Sequence, residues 1–229
     1  MNRQLALAIQ INDEANLADF CWNHNLLLQQ ELTLTLKGKG ERFLYIWGKR
    51  GCGKSHLLQA CCQNDDQRSS IYLPLSVLKD WGPEILNDLD NQSLIAIDDI
   101  EVIAGNTEWE VALFHLYNRI RDNNQSILLI SGQYPPNQLP IKLQDLLSRL
   151  SWGLVYLLKE LGDDDKVKTL MQHAKKRGFA LTSSVCQFLL NRCSRNMHDL
   201  HTLLNQLDEA SLSAQRKITI PFVKEVLDI

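Results

Sequence analysis

Short aliphatic and β-branched runs alternate with stretches of helical periodicity through most of this chain, and after Leu161 the alternation stops. The runs fall at 43–47, 70–73, 94–97 and 127–131, with a fifth at 154–158. Strand-like runs separated by helix-length segments predict a parallel sheet with crossover helices. The runs at 94–97 and 127–131 are almost wholly apolar, as expected where both faces of a sheet are covered, and 107–122 between them fits one long helix. Beyond Leu161, residues 163–175, 182–192 and 197–211 read as helices with no strand among them. Pro221 suits the first turn of a last short helix over 222–227. The expected fold is an α/β domain over 13–161 and a small all-helical domain over 162–229, with residues 1–12 outside both.

The first run ends in chemistry. Tyr45–Ser55 reads YIWGKRGCGKS, a full GxxxxGK[ST] phosphate loop directly after the strand-like FLYIW and before the amphipathic SHLLQACC. That context separates it from a chance glycine-rich turn. Gly48, Gly51 and Gly53 let backbone N–H groups converge on an anion, with Lys49, Arg50 and Cys52 between them. Lys54 can reach the outer phosphates, and the Ser55 hydroxyl can meet Mg²⁺. His56 follows in the first turn of a helix expected to run to Cys62, whose positive end favours the same anion.

A second half of such a site lies further along. The run at 94–97 ends in Asp98-Asp99, where a P-loop ATPase carries its Walker B acids. Asp98 is expected to order the Mg²⁺ shell with Ser55, and Asp99 to polarise an attacking water. A polar cap on the following helix is the other reading of the pair. In LLSRLSWG, Arg149 occupies a polar break before the last run. Residue pattern alone leaves two roles for it, a surface salt bridge or a finger offered to a neighbouring molecule's phosphates.

Composition narrows the classes. With 229 residues and 45% hydrophobic content, the chain can bury one sizeable core and a smaller one. It has no long apolar span, and MNRQLALAIQINDE lacks the basic lead and small-residue cleavage pattern of a secretory signal, so a cytoplasmic protein without a membrane partner is expected. A net charge of −3 and a pI near 6.1 argue against strong direct binding to duplex DNA. The basic clusters at 175–177 and 216–217 sit near expected helix ends, where cations complement the dipole.

Several reactive residue types receive plainer readings. The cysteines (Cys21, Cys52, Cys61, Cys62, Cys186, Cys193) show neither CxxC nor zinc-finger spacing and read mostly as small buried apolar residues. Cys52 lies among Lys49, Arg50 and Lys54 at a helix start that favours thiolate, although a small side chain tolerated by the loop accounts for it more simply. Asp163-Asp164-Asp165 fits helix capping better than metal binding. His198 and His201 lack third and fourth ligands nearby and fit ordinary helix packing or exposure.

Walker A at 48–55, Walker B at 94–99, ALFHLYNRI at 112–120, ILLISGQYPP at 127–136 and SRLSWGL at 148–154 together resemble the AAA+ module of the DnaA-like family of bacterial replication initiators. The resemblance covers nearly the whole chain, while the initiators' helix-turn-helix DNA-binding domain has no counterpart in it. With its ends IEVIAGNTEWEVALFHLYNRI and DEASLSAQRKITIPFVKEVL, the chain is more similar to the Hda branch, the regulatory inactivators of DnaA.

That resemblance implies a P-loop AAA+ sheet followed by a helical lid, holding ADP or ATP, or another nucleoside diphosphate, with Mg²⁺ at Ser55 and Asp98. It implies Arg149 as an arginine finger acting in trans. Implied partners are DnaA and the DNA polymerase sliding clamp, and a homodimer or larger oligomer is within its scope. Residues 1–12 become a clamp-binding peptide in which Leu5, Leu7 and Ile9 share one face at period two and Gln4 is a polar anchor. A frayed amphipathic terminus is the bland alternative. Phe20 and Trp22 fall in the region that holds the base. The first sensor, an Asp in DnaA, is represented by Gln133, and the second, usually Arg, by His198, with Arg195 three residues earlier. A neutral imidazole places far less charge on a terminal phosphate than a guanidinium, so the chain itself is expected to hydrolyse ATP poorly.

The implied function is negative regulation of replication initiation through hydrolysis of DnaA-bound ATP. The competing class is an autonomous AAA+ ATPase or helicase loader, which intact Walker motifs and Asp99 would permit. A truncated DNA-binding initiator would need a basic recognition element that the chain does not display.

Overall fold

β1 (Phe43–Trp47), β2 (Ser70–Pro74), β3 (Leu94–Asp98), β4 (Ile127–Gly132) and β5 (Leu154–Leu157) form one parallel sheet in the order β2-β3-β4-β1-β5. The computed structural model describes residues 15–65 and 67–229. α1 (Leu26–Leu36), α2 (Lys54–Cys62), α3 (Leu75–Leu78), α4 (Thr107–Asn123) and α5 (Gln144–Trp152) accompany the sheet. α6 (Asp163–Lys176), α7 (Ser183–Arg192), α8 (Met197–Ala214) and α9 (Ile220–Leu227) follow without a strand. Two compact units result, one comprising the described residues up to Lys49 with Lys54–Leu158, the other Arg50–Gly53 with Lys159–Ile229.

The continuous apolar runs become the covered strands. Every residue of β3 and β4 is buried, and Ile95, Ile97, Leu128 and Ile130 pack with Leu113, Leu116 and Ile120 of α4. Register aligns Trp47 with Gly132 and Pro74 with Asp98, and the Gly48 N–H extends the ladder to Gly132 O at 3.2 Å. The carboxyl ends of the inner strands therefore finish together, which is where open α/β sheets place their ligands. The second unit has its own core, centred on Leu170, Leu189, Leu200, Leu204 and Phe222.

Local chemistry sets the helix ends. The Asn106 side chain caps α4 by accepting the N–H groups of Glu108 and Trp109, and Thr182 and Thr219 cap α7 and α9. Thr182 is thus the cap and not the first helical residue. Pro221 stands in the first turn of α9, which begins at Ile220. The three aspartates fill the first turn of α6, with His173, Lys175 and Lys176 in its last turn, complementing the dipole at both ends.

α1 has no counterpart in the sequence-based expectation. Its Leu-Thr-Leu-Thr-Leu tail alternates at period two, a strand signal, whereas burial of Leu28, Leu32, Thr35 and Leu36 follows the helical period. Leu26, Leu27 and Leu34 remain exposed, which blurs the amphipathic pattern. Among the described residues no helix is long and apolar enough to cross a membrane.

Candidate nucleotide site

The loop after β1 takes the conformations its glycines permit. Gly51 and Gly53 have φ of +81° and +100°, values that side-chain-bearing residues rarely adopt. Lys54 is buried, and its Nζ donates to Gly48 O at 2.8 Å and Lys49 O at 3.1 Å. The ammonium is therefore held by the first two carbonyls of the loop. Ser55 and Lys49 are exposed, His56 is half-buried, and Cys52 is buried.

Asp98, at the end of β3, is almost fully buried. Its Oδ2 accepts from Tyr72 Oη at 2.7 Å, and its Oδ1 accepts from Ser131 Oγ and from the Asp99 N–H at 3.2 Å. Tyr72 also meets the side chains of Ser55 and Gln59. One phenol thus joins the helix after the phosphate loop to the Walker B strand. Burial, then the Asp98 charge, pushes the Tyr72 hydroxyl well above its usual range, so it stays a proton donor. Residue reading paired Ser55 with Asp98; the tyrosine that connects them had no motif to announce it.

Asp99 turns the chain. Its φ of +60° is left-handed, a conformation Asp tolerates better than most residues, and its N–H lies 3.4 Å from Ser131 Oγ. The short 3₁₀ turn that follows carries Glu101 back across the end of β4. There Glu101 Oε2 accepts the Gln133 N–H at 3.1 Å, while Oε1 is buried with no hydrogen-bond partner among the described residues. Burial raises the Glu101 carboxyl above its ordinary range, the Asp99 charge adds to this, and Lys54 opposes it. Gln133 is thus present at the strand end through its backbone, and Glu101 is a site residue the sequence reading missed.

The aromatic expectation finds a neighbour. The Phe20 ring stacks on His56 at 6.0 Å between centroids and lies 4.5 Å from Trp22, whose Nε1 donates to Leu17 O. Both aromatic residues are half-buried beside the first turn of α2. In the second unit, His198 is exposed in the first turn of α8 with its N–H donated to Asn196 Oδ1, and Arg195 lies 3.8 Å from Asp163. His201 meets His173 edge to face at 4.6 Å. Gln4, Leu5, Leu7 and Ile9 lie outside the described residues.

Arg149 is found at the other end of the sheet. It shares a crevice with Phe43 and Leu44 at the start of β1, Leu128 near the start of β4, and Gly153 just before β5. Its guanidinium sits 5.1 Å from the centroid of the exposed Trp152 ring, and its charge acts on Tyr117, which stacks on Phe43 at 4.2 Å. A five-residue strand spans about 13 Å from first to last Cα, so the body of β1 separates this guanidinium from the phosphate loop.

The donor set suits Mg²⁺ shared with phosphate oxygens. A hydroxyl at Ser55 and a carboxylate at Asp98 are hard oxygen donors meeting the same phenol, and Mg²⁺ characteristically uses few protein oxygens plus phosphate and water. Among the described residues no three His, Cys, Asp or Glu side chains converge as an all-protein metal cage.

Comparison with known proteins bears on the family and the fold. The family profile described as "Hda, lid domain" matches residues 163–227, and that of the bacterial DnaA ATPase domain matches 76–157. A Haemophilus influenzae protein described as uncharacterized is 44% identical over 231 residues, covering 100% of both chains. Domain III of the Thermotoga maritima replication initiation protein DnaA superposes with a TM-score of 0.81 at 21% identity, over 95% of this chain and 97% of that one. AMPPCP-bound DnaA from Aquifex aeolicus gives a TM-score of 0.72 at 20% identity, over 86% of this chain and 65% of that one. A variant of Thermotoga maritima RuvB gives 0.69 at 16%, over 96% and 73%. At such identities the structures speak for the fold alone, an AAA+ sheet with a helical lid. Joined to the two profiles and the full-length relative, they place the chain in the DnaA-like AAA+ family, with a lid of the Hda type.

Proposed function

We propose that this protein is a cytoplasmic regulator of replication initiation that binds a nucleotide in its own P-loop and offers Arg149 to ATP held by a DnaA-type partner. The position of Arg149 carries the reading. A guanidinium at the amino ends of the strands is out of reach of a nucleotide at their carboxyl ends, so its phosphate partner belongs to another molecule. The exposed Trp152 beside it is the kind of large aromatic anchor that interfaces use. In the partner's site Arg149 would stabilise charge on the transferring phosphoryl group, leaving the initiator with ADP.

Within its own site, ADP or ATP is the expected occupant. Lys54 and the backbone of 48–54 bind the phosphates, and Phe20 or Trp22 meets the base next to His56. Ser55 and Asp98 would hold Mg²⁺, which supplies charge neutralisation to the phosphates when bound. Tyr72 and Ser131 fix the Asp98 carboxylate for that task. Gln4, Leu5, Leu7 and Ile9 dock the protein on the DNA-loaded sliding clamp, which would confine its action to times when replication is under way.

The deciding experiment follows hydrolysis of ATP preloaded on DnaA after adding this protein with or without clamp loaded on DNA. Stimulation that needs both clamp and Arg149 is the expected result. Steady turnover by this protein alone, with no effect on DnaA, would replace the reading with an autonomous ATPase or helicase loader.

A further inference from the structure

The guanidinium of Arg149 is held by a ring. Its Cζ lies 5.1 Å from the centroid of Trp152, which follows in the same last turn of α5, and among the described residues no ion pair or hydrogen bond ties it. The helix end that carries both residues is itself fixed. Leu146 and Leu150 are buried, and Gly153 lets the chain pass close to β1, since a Cβ there would lie 2.3 Å from Phe43 O. Freedom at this end therefore belongs to the Arg149 side chain. The crevice beside it is lined by apolar and aromatic residues, so no carboxylate there draws the charge inward. Trp152 is 69% exposed, and core packing does not account for its place. A ring attracts a cation through its quadrupole and occupies none of the N–H donors that a carboxylate would take.

We propose that Trp152 is a positioning residue for hydrolysis in trans, its indole confining the Arg149 guanidinium to the rim of α5 with the N–H donors free for a partner's terminal phosphate. The ring acts through Arg149 on how fast the partner's bound ATP reacts, and not mainly on how tightly the partner is held. A long side chain free to sweep through solvent would have to be ordered as phosphoryl charge develops. A guanidinium already confined needs less reorganisation at that moment, which is where preplaced charge gains its effect. Removing the ring while keeping an apolar side chain therefore separates this role from that of an interface anchor.

This inference rests on the arginine-finger reading of the proposed function. The test follows hydrolysis of ATP preloaded on DnaA, with clamp loaded on DNA, as the concentration of the full chain is raised. Trp152→Leu should lower the maximal rate about 5-fold while the half-saturating concentration stays within about twofold of wild type. Trp152→Phe, which restores a ring, should recover most of that rate, and Trp152→Leu added to Arg149→Ala should cost nothing further. In the free chain, the NMR signal of the Arg149 Nε–H proton, identified by its loss in Arg149→Ala, should move downfield in Trp152→Leu as it leaves the shielding of the indole. An unchanged maximal rate in Trp152→Leu, a loss confined to the half-saturating concentration, no recovery in Trp152→Phe, or an unmoved Arg149 signal would each overturn the role of Trp152 and leave the finger standing. Absence of stimulation by the wild type would overturn the finger and this role with it.

Discussion

The two ends of the one sheet are built on opposite plans. At the carboxyl ends of β1, β3 and β4, Lys54, Asp98, Glu101, Tyr72 and Ser131 are tied to backbone or to one another, and nearly every polar atom has a fixed partner. At the amino ends, aromatic and aliphatic residues form a wall on which Arg149 rests beside an exposed tryptophan. A bonded cluster suits holding a ligand whose charges recur in one place. An arginine on a ring face gives up little when it moves to a partner's phosphate, because weakly hydrated guanidinium interacts well with either. In the proposed function, one end retains a nucleotide and the other presents a guanidinium.

Under that division, substitutions at the two ends should dissociate. Arg149→Ala should lower stimulated hydrolysis of the partner's ATP by roughly 10³-fold or more while leaving this chain's own nucleotide affinity unchanged. Lys54→Ala should do the reverse to first order, costing about 3 kcal/mol, or roughly 100-fold, in the chain's own nucleotide binding. Filter retention of nucleotide and partner turnover, measured on both variants, check the pair. A single variant that abolished both activities with its fold intact would collapse the comparison.

The link between the ends is a buried carboxylate. Glu110, in the first turn of α4, has 0% exposure, and it accepts the N–H groups of Gly105, Lys142 and Leu143. It ties the loop after the Walker B turn to the segment that starts α5, the helix carrying Arg149. Glu110→Ala would leave these backbone donors without their acceptor, costing about 3 kcal/mol of stability, read from denaturant midpoints. Stimulation of the partner should fall further than nucleotide affinity, because α5 depends on this anchor and Lys54 does not.

These residues also mark what pattern could and could not disclose. Each strand lies within a residue of its apolar run, because burial on both faces leaves a continuous signature. Glycines at 51 and 53 announced the left-handed turns. Glu110 reads as an ordinary acid in a helix's first turn, and nothing local says that loops more than thirty residues later will enclose it. Glu101 was hidden in the same way, its partner Gln133 being 32 residues distant. α1 escaped because its leucines and threonines satisfy two periods at once. The end of the sheet at which Arg149 lies follows from its place on α5, just before β5 in an all-parallel sheet, so the order of elements already implied it.

The smallest effect tests whether the carboxyl end is as tightly bonded as its geometry indicates. Tyr72→Phe keeps the ring in place and removes only the hydroxyl that joins Asp98 to α2. Hydrogen bonds to a charged group contribute about 1.5 kcal/mol or more, so the variant should lose about that much stability at neutral pH. The sign of its pH dependence follows from burial and the Asp98 charge, which both raise the Tyr72 hydroxyl above the unfolded chain's value of 10.0. The folded state thus binds this proton more tightly than the unfolded state does. Stability from the hydroxyl is fully present below the unfolded value and is lost as pH rises above it toward the folded one. The difference between wild type and Tyr72→Phe should therefore stay level from about pH 6 to 9 and narrow above about pH 10. Other titrating groups common to both proteins cancel in that difference. A gap that widened with alkali, or that was absent at neutral pH, would mean the phenol is a bystander and that Asp98 is positioned by Ser131 and the Asp99 N–H alone.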